Sequence, residues 1–216
     1  MKTKGKFFIF IDLGLKYMSS ELKYKERKYT FEEYLALEAE AVYKNEFIDG
    51  KIVAMSGGSF DHNTIAQNAG NAVSNAIRRK KKKCRVANSD QKIYIKEHNK
   101  GSYPDVSVFC GKPEFYNNRK DVLTNPLLII EVLSPSTENY DRGKKFTQYR
   151  SLPSFKEYVL IIQNQAKVET WYKQEENVWR ISNAEGIKAS IQLYSLDIYI
   201  KLSDIYYLVD FENAEE

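Results

Sequence analysis

The run from Leu127 to Leu133 reads Leu-Leu-Ile-Ile-Glu-Val-Leu, apolar at every position except Glu131. No alternation with polar residues relieves it. The pattern predicts a central strand covered on both faces, as in sheets packed between layers of helix. A second apolar strand is predicted from Tyr103 to Cys110, and it carries Asp105. Burying a lone carboxylate costs several kcal/mol unless a partner compensates it. A chain that places one in each of two core strands must supply that partner. This requirement constrains the fold and the chemistry together.

The remaining pattern fills in an α/β domain with a mixed sheet. Thr30-Phe31-Glu32-Glu33 is a capping box that opens a helix, with Phe31, Tyr34, Leu35 and Val42 as its apolar stripe. Asp49-Gly50 between two apolar runs predicts a hairpin. Ile65, Ala69, Ala72, Val73, Ala76 and Ile77 define one face of a helix over residues 62–79. Strands are expected at 84–87, 92–95 and 158–163. A helix is expected from Tyr140 to Arg150, then an aromatic meander from Lys167 to Lys173 and Val178 to Ile181. Further strand over 189–201 and a short helix from Leu202 to Tyr207 close the chain. Residues 29–211 read as one domain, preceded by an extension over residues 1–28.

Several function classes are excluded early. The chain has 216 residues and a net charge of +4, a mild basic bias that permits an anionic partner without requiring one. No stretch approaches the ~18 apolar residues needed to span a membrane. The short run Phe7 to Leu15 follows three lysines like the start of a signal peptide, but Asp12 interrupts it and no small-residue cleavage site follows. Met18 opens a polar segment that could equally begin the chain. Two cysteines, Cys84 and Cys110, make neither a disulfide scaffold nor a zinc site. Both are expected as plain buried thiols, with the cytoplasm as the default compartment.

The paired acids suggest a hard divalent cation. Mg²⁺ or Mn²⁺ takes oxygen ligands from one or two carboxylates, and waters or phosphate oxygens complete its shell. Phosphodiester hydrolysis uses such an ion, and a nearby lysine assists by stabilising developing negative charge. On a helix, Asp141, Lys145 and Tyr149 share a face at i, i+4 and i+8. Lys145 then falls at the edge of the buried stripe, while Lys144 points away.

These motifs together resemble the PD-(D/E)XK nuclease superfamily. Most of the chain is similar to the Uma-type family of restriction endonucleases. The matching pieces are Glu46-Phe47-Ile48-Asp49-Gly50-Lys51-Ile52-Val53, His62 opening a helix, Tyr103-Pro104-Asp105-Val106, Glu131-Val132-Leu133-Ser134-Pro135-Ser136-Thr137, and Tyr140-Asp141-Arg142-Gly143-Lys144-Lys145-Phe146. The resemblance implies a restriction-endonuclease-like core, a mixed central β-sheet flanked by helices, here with an added aromatic β-meander. It implies an Mg²⁺-dependent (or Mn²⁺-dependent) endonuclease acting on nucleic acid, DNA before RNA. The superfamily places its lysine two residues after the second acid, where this chain has Leu133, so the resemblance moves that role to Lys145. It also brings Glu46 and His62 to the site. A homodimer is expected, because two-fold-related sites suit a two-stranded substrate.

Blander readings stand beside these. Asp105 and Glu131 could each belong to a buried salt bridge, Lys145 could be a solvated helix lysine, and Glu46 could merely open the hairpin. The run Arg78, Arg79, Lys80, Lys81, Lys82 and Lys83 could bind phosphates or simply end a helix. The alternative at the level of function is a nucleic-acid-binding or interaction module on the same fold that does not cut.

Overall fold

The structure, a computed structural model, describes residues 27–211. The run Phe7–Leu15, Met18 and all but the last two residues of the expected extension lie outside them. The described residues form two compact units, divided between Met55 and Ser56.

In the first unit, α1 (Phe31–Ala39) begins with the full capping box: Thr30 accepts from the Glu33 amide and Glu33 accepts from the Thr30 amide. The stripe is shorter than the spacing suggests. Phe31, Tyr34 and Leu35 are buried, but the helix stops at Ala39, and Val42 beyond it is 89% exposed. β1 (Asn45–Ile48) and β2 (Lys51–Ala54) pair antiparallel. Asp49 and Gly50 both adopt positive φ (47° and 85°). That is the turn whose twist matches a two-residue hairpin. Phe31, Tyr34 and Phe47 pack ring against ring.

The second unit is built on a six-stranded mixed sheet. Its elements are α2 (Phe60–Arg79), β3 (Cys84–Asn88), β4 (Lys92–Ile95), β5 (Lys100–Ser102), β6 (Val106–Cys110), β7 (Val122–Leu123) and β8 (Leu128–Leu133). A helical segment, α3, follows from Glu138 to Tyr149, then β9 (Glu157–Ile162), β10 (Lys167–Glu175), β11 (Val178–Glu185), β12 (Ser190–Leu193), β13 (Ile198–Lys201) and α4 (Leu202–Ile205). The large sheet runs β11-β10-β9-β8-β6-β3. β8 lies parallel to β9 and antiparallel to β6, and all six of its residues are buried. This is the doubly covered central strand that its apolar run demands. The aromatic meander β9-β10-β11 continues the same sheet.

Strand alternation sorts the core into two layers. Val106, Val108, Leu128, Ile130 and Val132 face the apolar side of α2. Phe109, Ile129 and Leu133 face Phe146 and Tyr149 of α3. Glu131 shares the parity of Ile129 and Leu133, so register alone turns it toward α3.

Several boundaries shift by one to four residues, and three differences from the sequence reading are more than that. β6 starts at Val106, because Pro104 has no amide to give a ladder and the Asp105 amide points at Glu131 instead. The expected strand over 189–201 is split by a 3₁₀ turn, Tyr194–Leu196, after which Asp197 takes φ 47°. Helix α3 contains a π-helical turn, Asp141–Lys145.

The cysteine expectation is corrected. Cys84 and Cys110 form a disulfide, with Cα atoms 4.0 Å apart. They stand directly opposite in the antiparallel β3–β6 register. One step away the Gly111 amide donates to the Lys83 carbonyl, so the cysteines occupy the closely spaced, non-hydrogen-bonded position. Spacing along the chain could not reveal this pairing. The cytoplasmic expectation rested on free thiols and loses that premise. Among the described residues no helix is long and apolar enough to cross a membrane.

Candidate active site

Asp105 and Glu131 meet because β6 and β8 are antiparallel neighbours. Extending the register of Val106 opposite Ile130 by one step sets Asp105 opposite Glu131. The Asp105 amide points at Glu131 Oε2, 3.5 Å away. Asp105 Oδ2 accepts from the Val132 amide at 2.8 Å, which fixes the carboxylate against the end of β8.

His62 arrives from the other layer. Ser59 caps α2 and accepts from the His62 amide, so His62 stands in the first turn. Its Nε2 lies 3.1 Å from Asp105 Oδ1. Gly58 makes room for it: a Cβ there would sit 2.7 Å from the imidazole Cδ2. Burial alone raises the Asp105 pKa. The hydrogen bond and charge of His62, the charge of Lys145 and the Val132 amide outweigh burial and hold it below the usual carboxylate value.

Lys145 closes the site from α3. Its Nζ lies 2.8 Å from Glu131 Oε1 and 3.2 Å from Asp141 Oδ1, and the residue is only 8% exposed. The Tyr149 hydroxyl donates to Glu131 Oε1 at 3.2 Å. The face shared by Asp141, Lys145 and Tyr149 is thus the one turned to the acids. Leu133, where the superfamily would put its lysine, is buried among apolar residues. Burial pushes the Glu131 carboxyl up to about 8, with Lys145 opposing the rise and Asp105 and Asp141 adding to it.

Three of the five expected residues therefore converge with a fourth: Asp105, Glu131 and Lys145, with His62 on Asp105. Glu46 lies mid-strand on β1 of the first unit, opposite Val53. The basic run ends α2 and continues past it. Arg78 stands sixteen residues after His62 on the same helix, about 24 Å away at 1.5 Å per residue. Lys80 Nζ lies 3.5 Å from Asp197, and Lys81 takes φ 52°.

Sequence reasoning missed a buried polar layer behind the lysine. Asp141 was legible only as a face-mate of Lys145, yet it is 3% exposed and pairs with it. Tyr149 was likewise legible only as a member of that face, yet its hydroxyl holds Glu131. Lys100 is fully buried, and its Nζ donates to Tyr140 Oη (2.7 Å) and Gln148 Oε1 (3.1 Å). Nothing in the polar turn His98-Asn99-Lys100-Gly101 marks that lysine as internal. Such a constellation brings two carboxylate edges, a cation and an imidazole to one place, which suits work on a phosphoryl group.

Known proteins share this architecture. Two uncharacterized proteins of Synechocystis sp. are similar to the chain. One is 36% identical over 169 residues, covering 78% of this chain and 94% of that protein. The other is 34% identical over 175 residues, covering 81% and 90%. The crystal structure of a putative nuclease belonging to DUF820, from Anabaena variabilis, matches with a TM-score of 0.65 at 18% identity. The match covers 82% of this chain and 97% of that one. The fold is therefore restriction-endonuclease-like. The model of the Uma2 family, described as "Putative restriction endonuclease", matches residues 31–197. That span runs from the first helix through both acids and the lysine, and the chain belongs to the Uma2 family.

Proposed function

We propose that the protein is a divalent-metal-dependent endonuclease that hydrolyses phosphodiester bonds of DNA. The observation that carries this reading is the meeting of Asp105 and Glu131 across β6 and β8, with the ammonium of Lys145 2.8 Å from Glu131. An apolar pair would serve the core better if stability were the only demand.

Asp105 and Glu131 would hold Mg²⁺ or Mn²⁺. Their donor set fits such an ion: hard oxygens from two carboxylates, with Asp105 Oδ1, Asp105 Oδ2 and Glu131 Oε2 each accepting a single hydrogen bond. Among the described residues no group of three or more His, Cys, Asp or Glu is arranged to hold a metal ion, so the two acids would act as a pair. Mg²⁺ commonly uses few carboxylates and leaves positions to water and phosphate. When bound, the ion supplies Lewis-acid polarisation of a phosphoryl oxygen and neutralises charge on the leaving oxygen.

The chain's own groups do the rest. Lys145, held by Glu131 and Asp141, stabilises negative charge developing on the phosphate and orients the attacking water. His62 keeps Asp105 ionised and aimed, and is placed to meet a phosphate. Tyr149 fixes the Glu131 carboxyl. Glu46 assists from the hairpin, and residues 29–211 work as one domain, a reading supported by a family match that extends over both units. Arg78 to Lys83 supply long-range attraction for the polyanion. A homodimer would present two such sites to two strands.

The direct test is nicking of supercoiled plasmid with Mg²⁺ or Mn²⁺, comparing the natural protein with Glu46→Gln and His62→Gln. Metal-dependent nicking, weakened about tenfold or more in each variant, is the expected result. A folded, metal-supplied protein that leaves plasmid DNA intact would overturn the reading.

A pH dependence follows. With its carboxyl pushed up to about 8, Glu131 is protonated at neutral pH in the metal-free protein. Binding a cation must expel that proton, so affinity falls as pH falls below about 8. Calorimetric titration with Mn²⁺ should show affinity rising from pH 6 to pH 8 by up to about tenfold per unit, then levelling. Glu131→Gln should flatten the profile. Equal affinity at pH 6 and pH 8 would remove Glu131 from the metal site.

A further inference from the structure

A groove of about 300 Å³ opens beside Asp105. One wall is the face of α2 that carries Asn63, Gln67, Asn71 and Ser74, and the other is the end of β3 with Asn88. β3 is the edge strand of the six-stranded sheet. Small apolar residues, Ala66, Gly70, Ala87 and two valines, floor the groove between these polar side chains, and Asp105 apart the lining is uncharged.

That composition is unusual for a solvated helix. From Asn63 to Ile77, α2 contains no Asp, Glu, Lys or Arg, in a chain where 29% of residues are charged. Its outer positions are instead filled by asparagine, glutamine and serine. Asparagine and serine form helix less readily than the lysine and glutamate usual on solvated faces. Glutamine and asparagine side chains each offer a donor pair and an acceptor. Gln67 Nε2 donates to Asn71 Oδ1 at 3.1 Å, so the two amides are held as a unit over the groove.

The same face leads on to cations. Asn63, Gln67, Asn71, Ser74 and Arg78 follow one another at intervals of three or four residues, so they share one side of the helix. The track runs from the acids to the basic run over about 24 Å, or about seven nucleotide steps of a duplex strand. A long ligand with phosphates throughout and hydrogen-bonding sugars and bases fits such a track. A compact metabolite would use only one end of it.

We infer that this groove seats the nucleic-acid strand flanking the scissile phosphodiester, with Gln67 and Asn71 hydrogen-bonding its backbone and Arg78 and Arg79 gripping more distant phosphates. The inference rests on the nuclease reading. It adds a neutral contact zone between the reacting bond and the cationic grip. Neutral amides displace no counterions, so their contribution is insensitive to salt, whereas each arginine–phosphate contact is not.

The test is fluorescence anisotropy with a labelled 20-base-pair duplex and its single strand, in EDTA so that no cleavage occurs, over a series of salt concentrations. The full chain is compared with the double variants Gln67→Ala/Asn71→Ala and Arg78→Ala/Arg79→Ala. Alanine is the strongest helix former, so α2 is retained in both. The amide variant is expected to bind about tenfold more weakly with an unchanged salt slope. The arginine variant is expected to lower that slope by about two. An amide variant that binds within twofold of the natural protein, or that shifts the slope as the arginine variant does, overturns the groove. If the natural protein still nicks plasmid in that case, the nuclease reading stands and the groove alone falls. A natural protein that binds neither probe overturns both.

Discussion

Asp105→Asn should lower the plasmid-nicking rate by roughly 10³-fold while leaving the fold intact. The substitution is nearly isosteric. The asparagine carbonyl can still accept from the Val132 amide, now 2.8 Å from Asp105 Oδ2. What disappears is the negative charge that His62 and Lys145 help to maintain. Without it the site loses a hard anionic ligand, and a neutral amide oxygen is a weak substitute. Stability should change by no more than about 1 kcal/mol, since one hydrogen bond is kept and one is altered. Calorimetry with Mn²⁺ should show the affinity loss directly, and thermal unfolding should show the preserved fold. A variant that nicks at the natural rate would mean that the two acids serve only the core.

Lys145→Ala combines two effects. Cleavage should fall to a level comparable with the Asp105 variant, because the cation beside the acids is gone. Unlike Asp105→Asn, it should also destabilise the fold by about 3 kcal/mol, since a side chain 11% exposed is removed from between two carboxylates that are nearly fully enclosed. For a chain of this length that corresponds to a melting temperature lower by roughly 6–12 °C. Glu131 softens the loss by staying protonated, and its carboxyl should rise further above about 8 once the opposing charge is removed. Asp141, 3.2 Å from the ammonium and nearly fully enclosed, loses its cation as well. Lys145→Arg separates the two effects: it keeps a cation and should recover much of the stability, while its longer planar head should not restore full cleavage. A stable, fully active alanine variant would return Lys145 to the role of an ordinary helix lysine.

The fold was legible wherever one physical demand acted alone. The apolar run at Leu128–Leu133 admits only a doubly covered strand, and the Thr30–Glu33 box and the Asp49-Gly50 turn are local devices that need no tertiary help. Glu131 was legible because a carboxylate inside such a strand violates burial, and Asp105 through the apolar pattern beside it, although it stands one residue before β6 and is only partly buried. Lys145 was legible only through helical spacing and family resemblance, and the π turn in which it sits left no visible trace in the sequence. Lys100 and the Cys84–Cys110 bond were not legible at all. Each depends on which segments become neighbours, Lys100 beside Tyr140 and Gln148, and β3 opposite β6. No periodicity within either segment encodes that choice. Val42 shows the converse error, in which a correct spacing was carried past the point where the helix ends.

Glu131 belongs to the sheet and Asp105 stands at its margin, tied to β8 by the Val132 amide, but the cation belongs to a helix lying on the sheet. The β6–β8 ladder ends one residue short of Asp105, and the Val132 amide holds its carboxylate there, so the spacing of Asp105 and Glu131 is set by the backbone of adjacent strands. The spacing of Lys145 is set by how firmly α3 is seated, and any roll or slide of that helix becomes an error at the ammonium. Arg142 limits the error. Its guanidinium bonds Glu138 within the helix and forks onto both carboxylate oxygens of Glu169 on β10, at 2.7 and 3.1 Å. A displacement near 1 Å at a reacting group can cost about a hundredfold in rate. The tolerance of this centre is therefore set by an ion pair on its periphery.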